Sequence, residues 1–192
     1  MLCYITGSQG VSRVAEAFAA GIDMVQIRAK EFSGRELFQM AREVAPIKDR
    51  GKLLINDRLD IALACGADGV HLPANRPPAS AYRAVAPAGF IISVACHSPE
   101  DVQRAADEGA DLVILAPIFS TPGKGPPLGL DALTLATRAR IPVLALGGIT
   151  LENAESCFAA GAAGIAAIRL FEDADDMPSL IARGKFRRAH YP

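Results

Sequence analysis

Several residues able to do chemistry stand directly after short apolar runs in this chain. His97 follows the run Phe90 to Val94. An imidazole titrating near neutrality suits general acid–base transfer of a proton, although a histidine at a strand end can also be structural. Cys96 beside it invites a nucleophile reading. Neighbours along a strand point to opposite faces, however, so adjacency does not make a Cys-His dyad. Gln26, Arg28 and Lys30 alternate after Met24-Val25. On a strand they share one face and converge on a polar guest; otherwise they form a solvated edge. Asn56 and Asp57 follow Lys52 to Ile55, either as ligand contacts or as caps of the next helix. His71 ends another run, where it either closes a mouth or packs inside, and Thr121 and Lys124 lie in a Pro/Gly-rich loop.

Gly147-Gly148-Ile149-Thr150 is the most specific short motif. Paired glycines at a strand-to-helix turn let backbone N–H groups approach an oxyanion, and a following helix adds its dipole. Arg169, just after the run that ends near Ile168, would complete a phosphate cradle with a fork of donors. A tight turn without ligand is the alternative.

The elements that position these residues follow from a recurring phrase. Ala20-Gly21-Ile22-Asp23, Cys65-Gly66-Ala67-Asp68, Glu108-Gly109-Ala110-Asp111 and Ala160-Gly161-Ala162-Ala163 each lead into an apolar run, with successive glycines roughly 43 to 52 residues apart. The phrase reads as a helix ended by a glycine with φ > 0 and followed by a buried strand. With Leu2 to Ile5, Lys52 to Ile55, Phe90 to Val94 and Ile141 to Leu146, the candidate strands reach eight. Helical periodicity covers Val11 to Ala20, Ser33 to Asp49, Ser98 to Glu108, Leu130 to Arg138 and Leu151 to Ala160, with Ser98 as a cap. Residues 75 to 78 and 121 to 127 read as loops. Alternating strands and helices make this an α/β chain with a parallel sheet covered on both faces. Eight strands favour a single (β/α)8 TIM barrel over residues 1–192, with an open doubly wound sheet as the competitor.

Composition narrows the rest. The chain has 192 residues, 51% of them apolar, enough for one substantial core. Lys and Arg number 20 against 21 acidic residues, so no long-range field favours nucleic acid or an anionic membrane. Four scattered cysteines without a CxxC pair fit neither a disulfide framework nor a zinc site, and reduced thiols in a cytoplasm are the simpler reading. No run approaches a membrane span. The basic tail Arg183 to Arg188, with His190, reads as solvated. Homo-oligomeric assembly is left open.

Over nearly its whole length the chain resembles the superfamily of thiamine phosphate synthase and its TenI-like thiazole tautomerase relatives. The phrases that carry the resemblance are Val25-Gln26-Ile27-Arg28-Ala29-Lys30, Ile55-Asn56-Asp57-Arg58, Gly66 to Leu72, Pro117-Ile118-Phe119-Ser120-Thr121 and Leu146-Gly147-Gly148-Ile149. The resemblance implies a barrel whose mouth takes a thiazole phosphate, with phosphate at Gly147, Gly148, Ile168 and Arg169. It also implies substrate contacts from Gln26, Arg28, Lys30, Asn56, Asp57, Thr121 and Lys124. The synthase branch holds Mg²⁺ with two acidic residues. One matches Asp57; the other falls where this chain reads Pro73-Ala74-Asn75-Arg76. A cation there removes a ligand and adds repulsion. Ala95 and Gly123 also replace a Ser and a Thr of the synthase pattern. The resemblance is therefore closer to the tautomerase branch, which implies no cofactor and His97 as the proton-transferring residue. Synthase activity, with Mg²⁺, and a non-catalytic thiazole-phosphate-binding barrel are the alternatives.

Overall fold

The computed structural model of this protein describes residues 1–6 and 10–183; His190 and the basic residues beyond Arg183 lie outside the described residues. The eight apolar runs form strands β1 (Leu2–Thr6), β2 (Met24–Ile27), β3 (Lys52–Asn56), β4 (Gly69–Leu72), β5 (Ile91–Cys96), β6 (Leu112–Leu115), β7 (Val143–Leu146) and β8 (Gly164–Ala167). All pairings are parallel and in chain order, and β8 pairs with β1, closing the barrel expected from the sequence.

Between the strands lie α1 (Val11–Ala19), α2 (Gly34–Val44), α3 (Leu59–Cys65), α4 (Ala79–Arg83), α5 (Pro99–Asp107), α6 (Gly129–Ala136), α7 (Ala154–Ala159), α8 (Arg169–Glu172) and α9 (Met177–Arg183). Helix α2 stops at Val44, short of the expected Asp49, because Pro46 cannot donate to the helical ladder and a 3₁₀ turn, Ala45–Ile47, takes over. Its start carries a full capping box between Ser33 and Glu36, and Ser98 caps α5 through Asp101 as expected. Helices α3, α4, α8 and α9 were not bounded from the sequence; at four to seven residues they are too short to show a period. No described helix is long and apolar enough to cross a membrane.

Strand alternation splits the core in two. Cys3, Ile5, Met24, Leu54, Ile91, Leu112, Ile114, Leu144 and Ala166 fill the barrel interior. Leu2, Tyr4, Val25, Ile55, Val70, Ile92, Val113 and Ile165 face outward under the helices. The glycines of the repeated phrase, Gly21, Gly66, Gly109 and Gly161, all have positive φ at the helix-to-strand joins. The Asp of the phrase has a structural purpose too. Asp23, Asp68 and Asp111 accept from Leu2 N–H (2.7 Å), Leu53 N–H (2.8 Å) and Ile92 N–H (2.7 Å), and each donates its own backbone N–H to the carbonyl of that same residue. Three strand pairs are thus stapled at the N-terminal end of the barrel. In the fourth copy Ala163 keeps only the backbone bond, to the Val143 carbonyl.

Candidate functional site

The C-terminal ends of the strands gather two unlike groups of residues on opposite sides of the mouth. On the side of β2 to β5, register aligns Gln26 with Leu54, Gly69 and Ile91, and one step higher Asn56 with His71, Ser93 and Leu112. Because Leu54, Ile91 and Leu112 face the interior, Gln26, Asn56, His71 and Ser93 face it also. Gln26 donates to Asn56 Oδ1 at 3.1 Å, while its own Oε1 is buried and has no protein partner. A buried acceptor of this kind suits a ligand carrying a donor. Between the two sequence readings of His71, the fold selects the inner one: it is 6% exposed, with Nδ1 2.9 Å from Ser93 Oγ. Burial, and after it the charge of Arg28, push its pKa down to about 3, so the ring is neutral in ordinary conditions.

Arg28 is half-buried just beyond β2, and Lys30 is exposed. The strand stops at Ile27, so strand alternation relates Gln26 to Arg28 only; Lys30 sits in a turn. Asn56 and Asp57 do not cap α3. The cap residue there is Arg58, without a side-chain hydrogen bond, and Asn56 Oδ1 is engaged by Gln26. Asp57 instead has φ of 66°, a left-handed conformation that a short polar residue tolerates. Both of its carboxylate oxygens are taken by Arg76, Oδ1 by Nε at 2.5 Å and Oδ2 by the terminal nitrogen. The synthase pattern holds its divalent cation with two acidic residues; here the oxygens of the first are engaged by a guanidinium, and that guanidinium, Arg76, stands in the position of the second. The residues present therefore do not fit the Mg²⁺ site of the synthase pattern.

His97 is exposed at the end of β5. Its Nδ1 lies 2.8 Å from the Ala116 carbonyl, and its backbone N–H donates to Asp101 Oδ2 at 3.0 Å. A carbonyl only accepts, so Nδ1 carries the hydrogen and Nε2 keeps a lone pair in the neutral ring. Cys96 faces the other way, buried in the outer core, with its thiol pushed up to about 12 by desolvation. It is no nucleophile at neutral pH.

Across the mouth, Gly147 and Gly148 have φ of 101° and 63°. The close approach that they allow here is to the loop after β6. A Cβ on Gly147 would lie 2.8 Å from Pro117 Cα, and one on Gly148 would lie 2.6 Å from the Ser120 carbonyl. Thr121 donates to the Phe119 carbonyl in that loop, and Lys124 is exposed. Ile168, 37% exposed, precedes α8, and Arg169 is the first residue of that helix. The far end of α8 is held by Arg13 of α1, which donates to the carbonyls of Phe171, Glu172 (3.2 Å) and Ala174 (2.7 Å). Asn153 grips the glycine turn. Its Oδ1 accepts from Thr150 N–H and its Nδ2 donates to the Gly148 carbonyl, both at 2.8 Å. Neither Arg13 nor Asn153 stood out in the sequence. Asn153 is three residues beyond Thr150, a capping spacing that could have signalled it.

Residues 2–171 match the family described as thiamine monophosphate synthase. The chain belongs to this family. Membership places it among enzymes of thiamine biosynthesis, as the resemblance implied. The chain is 43% identical over 169 residues to a putative thiamine-phosphate synthase of Geobacter sulfurreducens, covering 84% of this chain and 79% of that protein. It is 45% identical over 158 residues to a thiamine-phosphate synthase of Methanoculleus marisnigri, covering 79% and 75%. In structure it is similar to a thiamine phosphate pyrophosphorylase from Pyrococcus furiosus, with a TM-score of 0.85, 29% identity, and coverage of 95% of this chain and 92% of that one. The names of these family members are those of the transferase; none is that of a tautomerase.

Proposed function

We propose that this family member binds a thiazole phosphate across the barrel mouth and isomerises it without a metal, as a thiazole tautomerase. The observation that carries this reading is the Arg76–Asp57 pair, which occupies the carboxylate that a Mg²⁺-dependent transfer of a pyrimidine diphosphate would need. An isomerisation moves a proton from one carbon of the substrate to another and consumes no co-reactant. In this reading the phosphate rests on the turn at Gly147 and Gly148 and the start of α8 at Ile168 and Arg169. Its ring then lies toward Gln26, Asn56 and Arg28, with Thr121, Lys124 and Lys30 around the rim. His97 takes and returns the proton through Nε2, the nitrogen that the Ala116 contact leaves with its lone pair.

The second reading, thiamine-phosphate synthase, is favoured by the names of the relatives at 43% and 45% identity. Turnover assays with the carboxylated thiazole phosphate alone, and with thiazole phosphate plus pyrimidine diphosphate, each with Mg²⁺ and with EDTA, separate the two. Aromatisation in EDTA supports the tautomerase; Mg²⁺-dependent coupling supports the synthase. His97→Asn then locates the proton transfer. It is expected to lower kcat by about 10²-fold or more with phosphate affinity kept, and turnover at the parental rate would make His97 structural.

A further inference from the structure

We infer that Asn153 is a positioning residue for the phosphate end of the site: it sets the direction of the backbone donors in the glycine turn without touching the ligand. The inference rests on the phosphate reading above. Thr150 and Asn153 form half of a capping box, since the Asn153 side chain accepts from the Thr150 backbone N–H and the chain winds into a helical turn after Thr150, with Ala154 N–H bonded to the Thr150 carbonyl. That single bond would satisfy a structural cap. The second one, from Nδ2 to the Gly148 carbonyl, lies outside the helix and is not needed for capping.

Its consequence follows from peptide geometry. The only cis bond among the described residues is Ala116–Pro117, so the Gly148–Ile149 peptide is trans, and its N–H points opposite to its C=O. Holding the Gly148 carbonyl on Asn153 therefore turns the Ile149 N–H away from α7. The N–H groups of Gly148 and Ile149 have no hydrogen-bond partner among the described residues, which leaves both as donors for an anion. This peptide turns about ψ of Gly148 and φ of Ile149, and Gly148 carries no Cβ to restrict the first; Asn153 is the side chain that holds its carbonyl in one direction. In turn, Ser156 steadies Asn153, donating from Oγ to its carbonyl at 2.6 Å.

The test is calorimetric titration of the full chain and two variants, Asn153→Ala and Asn153→Asp. The probes are inorganic phosphate, the thiazole phosphate and the dephosphorylated thiazole alcohol, at an ionic strength that screens an added charge. Asn153→Asp keeps the acceptor for Thr150 N–H and removes the donor to Gly148, so it retains the cap and carries the test if Asn153→Ala does not fold. Both variants should bind the two phosphates about tenfold more weakly, a loss the size of one net hydrogen bond, with affinity for the alcohol unchanged. Unchanged phosphate affinity, or equal weakening of phosphate and alcohol, overturns the positioning role. Failure of the unaltered chain to bind either phosphate overturns the phosphate reading itself, and this inference with it.

Discussion

Replacing His71 by Asn should remove a large share of the acid sensitivity of this fold. In the unfolded chain an imidazole titrates near 6.5. In the barrel, burial and then the Arg28 charge hold His71 at about 3. Between those values the unfolded state binds the extra proton, so this residue makes stability rise with pH and fall as pH drops below about 6.5. From pH 7 to pH 5 the contribution is a loss of about 2 kcal/mol. That figure does not depend on the depth of the depression, because at pH 5 any folded value below about 4 leaves the ring neutral. Asn can still bond to Ser93, whose Oγ lies 2.9 Å from Nδ1 in the parent. Urea unfolding of both proteins at the two pH values, taken as a difference of differences, cancels the other titrating groups. If the variant and the parent lose stability equally, within about 0.5 kcal/mol, His71 protonates as easily folded as unfolded and the β2–β5 wall is wet.

Arg76→Glu should set a second carboxylate beside Asp57 and create saturable Mg²⁺ binding by calorimetry that the parent lacks; Mg²⁺ binding to the parent that vanishes in Asp57→Ala would contradict the metal-independent reading. Asp111→Ala should cost about 1.5–3 kcal/mol in denaturant titrations, since it strips the charged acceptor from Ile92 N–H and Arg83, while phosphate affinity at the far end of the barrel stays unchanged. Gly148→Ala should lower stability by about 1–3 kcal/mol and weaken phosphate binding together, because its Cβ meets the Ser120 carbonyl and Phe119 at a left-handed φ. An unchanged melting temperature would show that the β6 loop gives way.

The barrel was legible because its signals are local and repeated. A glycine with positive φ followed by a buried strand occurs four times, and each of Gly21, Gly66, Gly109 and Gly161 does what the phrase requires. The site was legible as a set of strand ends, but not as a set of contacts. Alternation correctly turned Cys96 away from the mouth and then failed at Lys30, because β2 ends at Ile27 and the turn after it has no period. Asp57 could be marked from its neighbours, but its pairing with Arg76 spans 19 residues and a change of strand. The same holds for Arg13, whose contacts with the end of α8 lie about 160 positions away. Gly147 and Gly148 suggested room for an anion; the structure shows that they also make room for the 117–121 segment, a tertiary demand with no trace in local sequence.

In the proposed reading, unpaired cations at the mouth are what meets the anionic guest. At the N-terminal end of the barrel Lys48 and Lys52 pair with Asp68, and Arg83 with Asp111, whereas Arg50, Arg138 and Arg140 make no ion pair with any described residue. Those pairs complete the staples that close the strand pairs. At the mouth, Arg28, Lys30, Lys124 and Arg169 make no ion pair with any described residue, and the nearby Asp57 is already held by Arg76. The chain has a net charge of −1, and these four cations are set around the mouth. Within a Debye length of roughly 8 Å such charges act locally, which suits capture of a small phosphate ester better than steering along a polyanion. In the proposed reading, with Asp57 held by Arg76, the mouth would take the anion without a metal bridge. In the same reading the polar contacts of the opposite wall, Gln26 Oε1 foremost, would select the ring that the anchored phosphate brings.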